Sequence, residues 1–327
     1  MKSNRRDFIK TLLAGGALLG FGLSSLKGMS GKLGKNPLND KGNSDKAGKD
    51  LVKITILHTN DSHSHIEPFP NNDPKYPGLG GFARRATLIK KIRKEEKNVL
   101  LFDSGDVFQG TPYFNMYGGE LEFKLMSDMG YDAATIGNHE FDNGLEGLAK
   151  QLPFAKFPFI SSNYDFTKTI MNGKTLPYKV FIKDEIKVGV FGLGVELDGL
   201  VDKKGYGETI WLNPYEKAAE TAHLLKKNLK CDLIVALTHI GIACDQSKFC
   251  DMDLAKQSKN IDLILGGHSH TSIDKPYKYL NSDKKDVYIC QEGWAGIKLG
   301  RVDFYFEKGK GLKFAEAYTT KKINNQV

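Results

Sequence analysis

Cysteine is scarce in this 327-residue chain: Cys231, Cys244, Cys250 and Cys290 are all it has. They form no C-x-x-C pair and match no zinc-ribbon spacing, which argues against a structural zinc site built on cysteine. In an oxidising compartment Cys244 and Cys250 could bridge, and buried free thiols are an equal alternative. A membrane-spanning run is also missing. The apolar stretch Thr11 to Leu26, "TLLAGGALLGFGLSSL", is short and Gly-rich for a stable span. No cysteine follows it, so a lipoprotein anchor is not expected, and no clean A-x-A cleavage site is visible. Basic charge is thin outside the leader. The formal charge is +8, and residues 1–50 hold ten Lys or Arg against four Asp or Glu, or +6, leaving +2 for residues 51–327. A nucleic-acid surface is therefore not expected. Phe, Tyr and Trp are scattered through core-like runs, so no base-stacking platform is evident.

Much of what the sequence does carry begins at its N-terminus. "SNRRDFIK" sets Arg5 and Arg6 ahead of the apolar stretch, a basic start and short apolar core that read as an export signal over residues 1–29. The paired arginines resemble the twin-arginine type. The expected location is periplasmic or otherwise extracytoplasmic, with the signal cut near Met29 or retained as a membrane tether. Residues 30–50, rich in Gly, Lys, Asn and Asp, read as a flexible linker. A catalytic domain is expected over residues 51–327, where the 40% apolar content of the chain is ample for a core.

From Leu51 onward, short apolar runs alternate with amphipathic helical stretches, an α/β pattern. "VKITIL" leads into "HTNDSHSH", "NVLLF" into "DSGDVFQG" and "YDAATI" into "GNHEFD"; "CDLIVAL" leads into "THIG" and "IDLIL" into "GGHSH". Five candidate strands thus end in polar clusters containing Asp, Asn or His. Ligand sites of α/β sheets gather at strand C-terminal ends. Packing alone predicts no such coincidence, because ordinary turns do not select histidine. Of the eight histidines, five lie in these loops at the positions the pattern picks out: His63, His139, His239, His268 and His270. Imidazole combined with carboxylate and amide oxygen suits a pair of borderline divalent ions such as Zn, Mn or Fe. Asp61 and His63 stand two apart, as do His268 and His270, so extended backbone would turn each pair to one side. Asp106 follows a glycine in "DSGD", where a turn can push its carboxylate between two ions.

"DSH", "GDVFQGT", "GNHEFD", "THIG" and "GGHSH" resemble, in order, the motifs of the calcineurin-like metallophosphoesterases. They are most similar to those of the 5′-nucleotidase catalytic domain, whose wider family includes UDP-sugar hydrolases, cyclic-nucleotide phosphodiesterases and thiosulfohydrolases. "GGFARRATLIKKIR" and "EGWAGIKLGRVDF" extend the likeness from about Val52 to Phe306. The resemblance implies a four-layer α/β/β/α sandwich with a dinuclear site at the strand C-terminal ends. One divalent ion would be held by Asp61, His63, Asp106 and His270, the other by Asp106, Asn138, His239 and His268. His139 would be the catalytic residue, free of metal, with Asp142 holding its imidazole protonated. Glu140 has no role in this scheme and is expected to be a solvated or salt-bridged loop residue. The implied reaction is phosphoester hydrolysis, a hydroxide held by both ions attacking phosphorus in line.

The substrate expected on the same grounds is a small phosphoester, most plausibly a nucleotide. A thiosulfohydrolase, a cyclic-nucleotide phosphodiesterase and a non-catalytic binding component are the alternatives. The family's nucleotidases carry a second, substrate-binding domain, so a separate polypeptide is a possible partner here. Other residues receive plain expectations: His58 packed in the core, His65 supporting the site, His223 solvated on a helix. Arg84 and Arg85 are expected on the outer side of the helix whose apolar face holds Phe82, Ala86, Ile89 and Ile92.

Overall fold

The computed structural model describes residues 51–244, 248–307, 311–316 and 321–326, which belong to one compact unit, Ala47–Val327. The leader and linker expected over residues 1–50 lie outside the described residues. Two six-stranded sheets form the centre of the unit, beside a small two-stranded sheet of Tyr164–Asp165 and Ile210–Trp211. In the first, Leu51–Thr59 is central. It pairs in parallel with Val99–Asp103, which in turn pairs with Ala133–Ala134, and antiparallel with Lys298–Glu307. In the second, Ile186–Gly194, Leu233–His239, Leu263–Leu265 and Asp286–Cys290 run parallel, with antiparallel strands Tyr178–Lys183 and Tyr277–Leu280 at the edges.

Strand alternation explains how the sheets stack. Ile54, Ile56, Leu100, Phe102, Phe304 and Phe306 turn inward from the first sheet to meet Val188, Val190, Leu233, Val235, Leu237 and Leu265 of the second. The intervening residues face outward: Leu57 and Leu101 meet the helices Phe82–Glu95 and Glu120–Met129. Likewise Ile234, Ala236 and Ile264 meet Pro214–His223 and Asp251–Gln257. With both faces covered, the parallel strands are the continuous apolar runs seen in the sequence. The layers are α/β/β/α, as the motif resemblance implied, and the five polar clusters collect at one end of the two sheets.

Two expectations change. The run "YDAATI" yields only the two-residue strand Ala133–Ala134. Arg85 does not decorate the outer side of its helix. Standing three residues after Phe82 and four before Ile89, it falls on the buried stripe and is fully enclosed. Its guanidinium lies 4.1 Å from the Phe82 ring centroid and donates to Ser62 Oγ (3.1 Å) and the Tyr131 hydroxyl (3.2 Å).

Candidate metal centre

Five loops deliver the candidate ligands, and left-handed backbone aims them. Asp61, His63, Asp106, His268 and His270 have φ of 48°, 45°, 56°, 72° and 51°. The expectation that Asp61/His63 and His268/His270 point together through extended backbone is thus incorrect. The strands have already ended, and αL turns direct these side chains instead, a conformation that concentrates at functional sites. The loops are also tightly nested. A Cβ on Gly105, itself at φ 87°, would come within 2.6 Å of the Gly137 nitrogen, so the Asp106 loop and the Asn138 loop can touch only with glycine there.

Two donor clusters result. Asp61, His63, Asp106 and His270 form one; Asp106, His239 and His268 form the other, and Asp106 belongs to both. Asn138 joins the second, its Oδ1 lying 2.9 Å from His268 Nδ1. His270 Nε2 is 3.3 Å from Asp61 Oδ1 and 2.9 Å from His63 Nε2. His239 Nε2 is 3.0 Å from Asp106 Oδ2. All seven residues that the motifs picked out as ligands are therefore brought together.

The electrostatics call for cations. Burial opposes protonation of His239, yet Asp106 and Asp61 outweigh it and push the imidazole up to about 10. Asp106 is itself held well below the carboxylate range, against its own burial, by His239 and His63. Burial, with His239 beside it, lowers His268 to about 4. His239 Nε2 has no aligned hydrogen-bond acceptor although it is fully buried. A buried ring nitrogen set between two carboxylates, 3.0 Å from Asp106 and 4.0 Å from Asp61 without an aligned hydrogen bond, fits a divalent ion, which would take over the charge that a proton on His239 supplies. The tautomers fit too: His63 Nδ1 faces the Phe108 carbonyl (3.2 Å) and His239 Nδ1 the Ser104 carbonyl (2.7 Å), leaving both Nε2 atoms for metal.

His139 stands apart from both clusters. Its Nδ1 is 2.9 Å from Asp142 Oδ2, and both side chains are about one-third exposed, at 33% and 30%. The hydrogen bond to Asp142 raises the imidazole pKa, with burial opposing and Asp106 adding to the rise. Its ring lies 5.2 Å from that of His63, beside the centre. A cleft of about 750 Å³ opens alongside His268 and His270, with Glu196, Asp198 and Lys248 on its walls.

Glu140 is the largest departure from expectation. It is fully buried, and its two carboxylate oxygens accept from the backbone nitrogens of Asp106 (2.9 Å), Gly137 (2.6 Å), Val107 (2.7 Å) and Phe108 (3.3 Å). Burying a carboxylate costs several kcal/mol. Four donors at about 1.5–3 kcal/mol each can offset that, where a surface ion pair worth about 0–1 kcal/mol could not. Burial and the Asp106 charge push its pKa up to about 7, but N–H donors on both oxygens leave no room for a carboxylic proton. We therefore assign the ionised form. Glu140 thus ties the Asp106 loop to the Asn138–His139 loop.

On the other side, fully buried Gln291 accepts from Ser269 Oγ (2.9 Å) and the Thr271 nitrogen, and donates to the Gly267 carbonyl (2.8 Å). An aromatic cluster that the sequence did not reveal lies next to His270: Trp294 is ringed by His65, Phe69 and Tyr76, with centroids 5.1, 6.0 and 6.0 Å away. His58 is fully buried and His223 exposed, as expected. Cys244 and Cys250 form a disulfide, whereas Cys231 and Cys290 are buried thiols.

This geometry, a shared carboxylate between two Asp/His clusters at the mouth of an α/β/β/α sandwich, defines a dinuclear metallohydrolase. The profile of the family described as Calcineurin-like phosphoesterase matches residues 54–272, and the chain belongs to that family, whose members bind two divalent ions. A 5′-nucleotidase of Vibrio cholerae is 37% identical over 284 residues, covering 79% of this chain and 50% of that protein. The structure of a 5′-nucleotidase precursor from Thermus thermophilus superposes with a TM-score of 0.76 at 30% identity, over 84% of this chain and 55% of that one. That of a calcineurin-like phosphoesterase from Bacillus subtilis gives 0.67 at 26% identity, over 85% and 92%. The chain spans about half the length of the Vibrio relative.

Proposed function

We propose that this protein is an exported, two-metal phosphoester hydrolase of the 5′-nucleotidase type, with nucleotide monoesters as its substrate class. The observation that carries the reading is the pair of donor clusters sharing Asp106, with the His139–Asp142 couple unshared beside them. Asp61, His63, Asp106 and His270 would hold one divalent ion, and Asp106, Asn138, His239 and His268 the other. When bound, the two ions supply a nucleophile at neutral pH and neutralise charge developing on the phosphoryl oxygens. His139, kept protonated by Asp142, gives its proton to the leaving oxygen. The cleft beside His268 and His270 falls in the volume range of small-molecule sites, which accommodates a nucleoside-sized leaving group. Several relatives are themselves described as 5′-nucleotidases, which favours nucleotides over other esters.

Export rests on Arg5 and Arg6 ahead of the Gly-rich apolar run. The deciding experiment is metal analysis of protein purified from its native compartment, followed by a panel of nucleoside monophosphates, cyclic nucleotides and aryl phosphates. Two ions per chain and chelator-sensitive release of phosphate from nucleoside monophosphates are expected. A doubly loaded protein inert on all of them would sink the reading. Changing Arg5 and Arg6 to Lys together should leave the protein in the cytoplasm, and normal export of that variant would count against the twin-arginine route.

A further inference from the structure

The candidate imidazole ligands are not held alike. His63 and His239 each set Nδ1 against a backbone carbonyl, at 3.2 and 2.7 Å, whereas His268 turns Nδ1 to Asn138, its fellow candidate ligand, at 2.9 Å. Among the described residues, His270 has no carbonyl partner of that kind on Nδ1. Its polar neighbours, Asp61 and His63, both meet Nε2, the atom that faces the centre. It is also the most exposed ligand, 41% accessible at the side chain. A metal-binding histidine ordinarily owes its orientation to a hydrogen bond on the other ring nitrogen. His270 has instead the indole of Trp294, parallel to its ring within 9° at a centroid distance of 5.8 Å.

The indole is fixed from both halves of the centre. The Asn60 side chain donates to the Gly293 carbonyl (2.7 Å) and accepts from the Glu292 nitrogen (2.8 Å), and the Ala295 nitrogen donates to the Asp61 carbonyl (2.7 Å). From the opposite side the Gly293 nitrogen donates to the Thr271 carbonyl (3.0 Å), one residue beyond His270. The ring is then wedged by Phe69, Tyr76 and the edge of His65. Trp294 is therefore a wall whose place is set by the same backbone that sets Asp61 and His270.

We propose that Trp294 is the positioning residue for His270. Its stacking stands in for the absent Nδ1 hydrogen bond and holds the imidazole toward the Asp61/His63 ion, so that loss of the indole weakens that ion and not the one at His239 and His268. The inference rests on the ligand set proposed above.

Zn2+ titrations of the metal-free full chain would test it, comparing wild type, Trp294→Ala, Trp294→Phe and His270→Ala. In wild type two ions should bind. In Trp294→Ala one of the two should weaken roughly 10–100-fold, the usual cost of losing an outer partner of a ligating histidine. Trp294→Phe, which keeps a stacking face, should recover most of that loss, and His270→Ala should weaken the same ion. With Trp211 changed to Phe, Trp294 is the only indole left in the chain, and its fluorescence should be quenched as Co2+ fills the site. Equal affinities in wild type and Trp294→Ala would overturn the role of Trp294 while leaving the ligand set intact. So would equal weakening of both ions with a lowered melting temperature, which means general destabilisation. Unchanged binding in His270→Ala would instead overturn the ligand assignment and the inference with it.

Discussion

The two sheets contribute unlike halves of the centre. Loops of the first carry every carboxylate and the amide, namely Asp61, Asp106 and Asn138, with one imidazole, His63, and the His139–Asp142 couple beside them. Loops of the second carry imidazoles alone: His239, His268 and His270. Each half is braced by one buried side chain, the ionised Glu140 on the acidic side and the neutral Gln291 on the other. Neither half is a complete site. The acidic half without its partner is a concentration of buried negative charge, and the imidazole half offers nitrogen with nothing to bridge. Packing of one sheet on the other, through Phe102, Phe304, Val235 and their neighbours, is what brings charge and nitrogen within bonding range.

The sharpest break in that asymmetry should come at Asp106, the carboxylate common to both clusters. Asp106→Asn should reduce turnover on the order of 10³-fold or more, several kcal/mol of charge stabilisation at about 1.4 kcal/mol per decade. Metal content measured on the purified variant should fall below two per chain. His239→Ala, on the imidazole side, should leave one ion bound. If Asp106→Asn keeps both ions and near-normal turnover, the acidic half is not the bridge.

Next comes the couple whose side chains belong to neither cluster, although the His139 backbone nitrogen donates to Asp106 (2.9 Å). His139→Ala should keep both ions while turnover drops roughly 10²–10⁴-fold, less for an aryl phosphate whose leaving oxygen needs little protonation. Because Asp142 raises the His139 pKa, activity that depends on the imidazolium persists below that pKa and fades as pH rises through it. Asp142→Asn should therefore move the alkaline limb of the pH–rate profile to lower pH. Loss of metal in step with activity in His139→Ala would make that residue a ligand.

The braces should matter less. Glu140→Gln puts an N–H2 where backbone donors converge and should weaken metal binding roughly 10–100-fold. An unchanged titration would show that the four backbone contacts are dispensable. Smallest should be the effect of reducing Cys244–Cys250 on the imidazole side. The bridged residues are only six apart, so opening the ring should cost about 2 kcal/mol of stability with both ions retained. A calorimetric melt checks this, and loss of an ion on reduction would tie the bridge to the centre.

The sequence made the ligands legible because the information was local: an apolar run, then Asp, Asn or His, five times over. It could not disclose Glu140, three of whose four donors, Asp106, Val107 and Phe108, come from a loop 32–34 residues earlier in the chain. In "GNHEFD" a buried clamp and a solvated glutamate read the same. Arg85 was misjudged because helical spacing placed it on the apolar stripe while its charge argued for water, and the stripe prevailed. Trp294 escaped notice because its aromatic neighbours arrive from the segment between His65 and Tyr76, far from it along the chain.

The left-handed backbone at Asp61, His63, Asp106, His268 and His270 governs which replacements evolution or an engineer can try there. Five of the seven candidate ligand positions impose two independent filters, the donor atom and the dihedral angle. Every residue with a Cβ bears an αL cost of roughly 1–2 kcal/mol, which Asn, Asp and His tolerate better than alanine or a β-branched residue does. Alanine scanning of this centre would mix the worth of its metal bonds with that difference in αL preference. Asparagine at Asp61 and Asp106 is the cleaner probe, and natural drift at these positions should run along Asp, Asn, His and Gly before it reaches anything else.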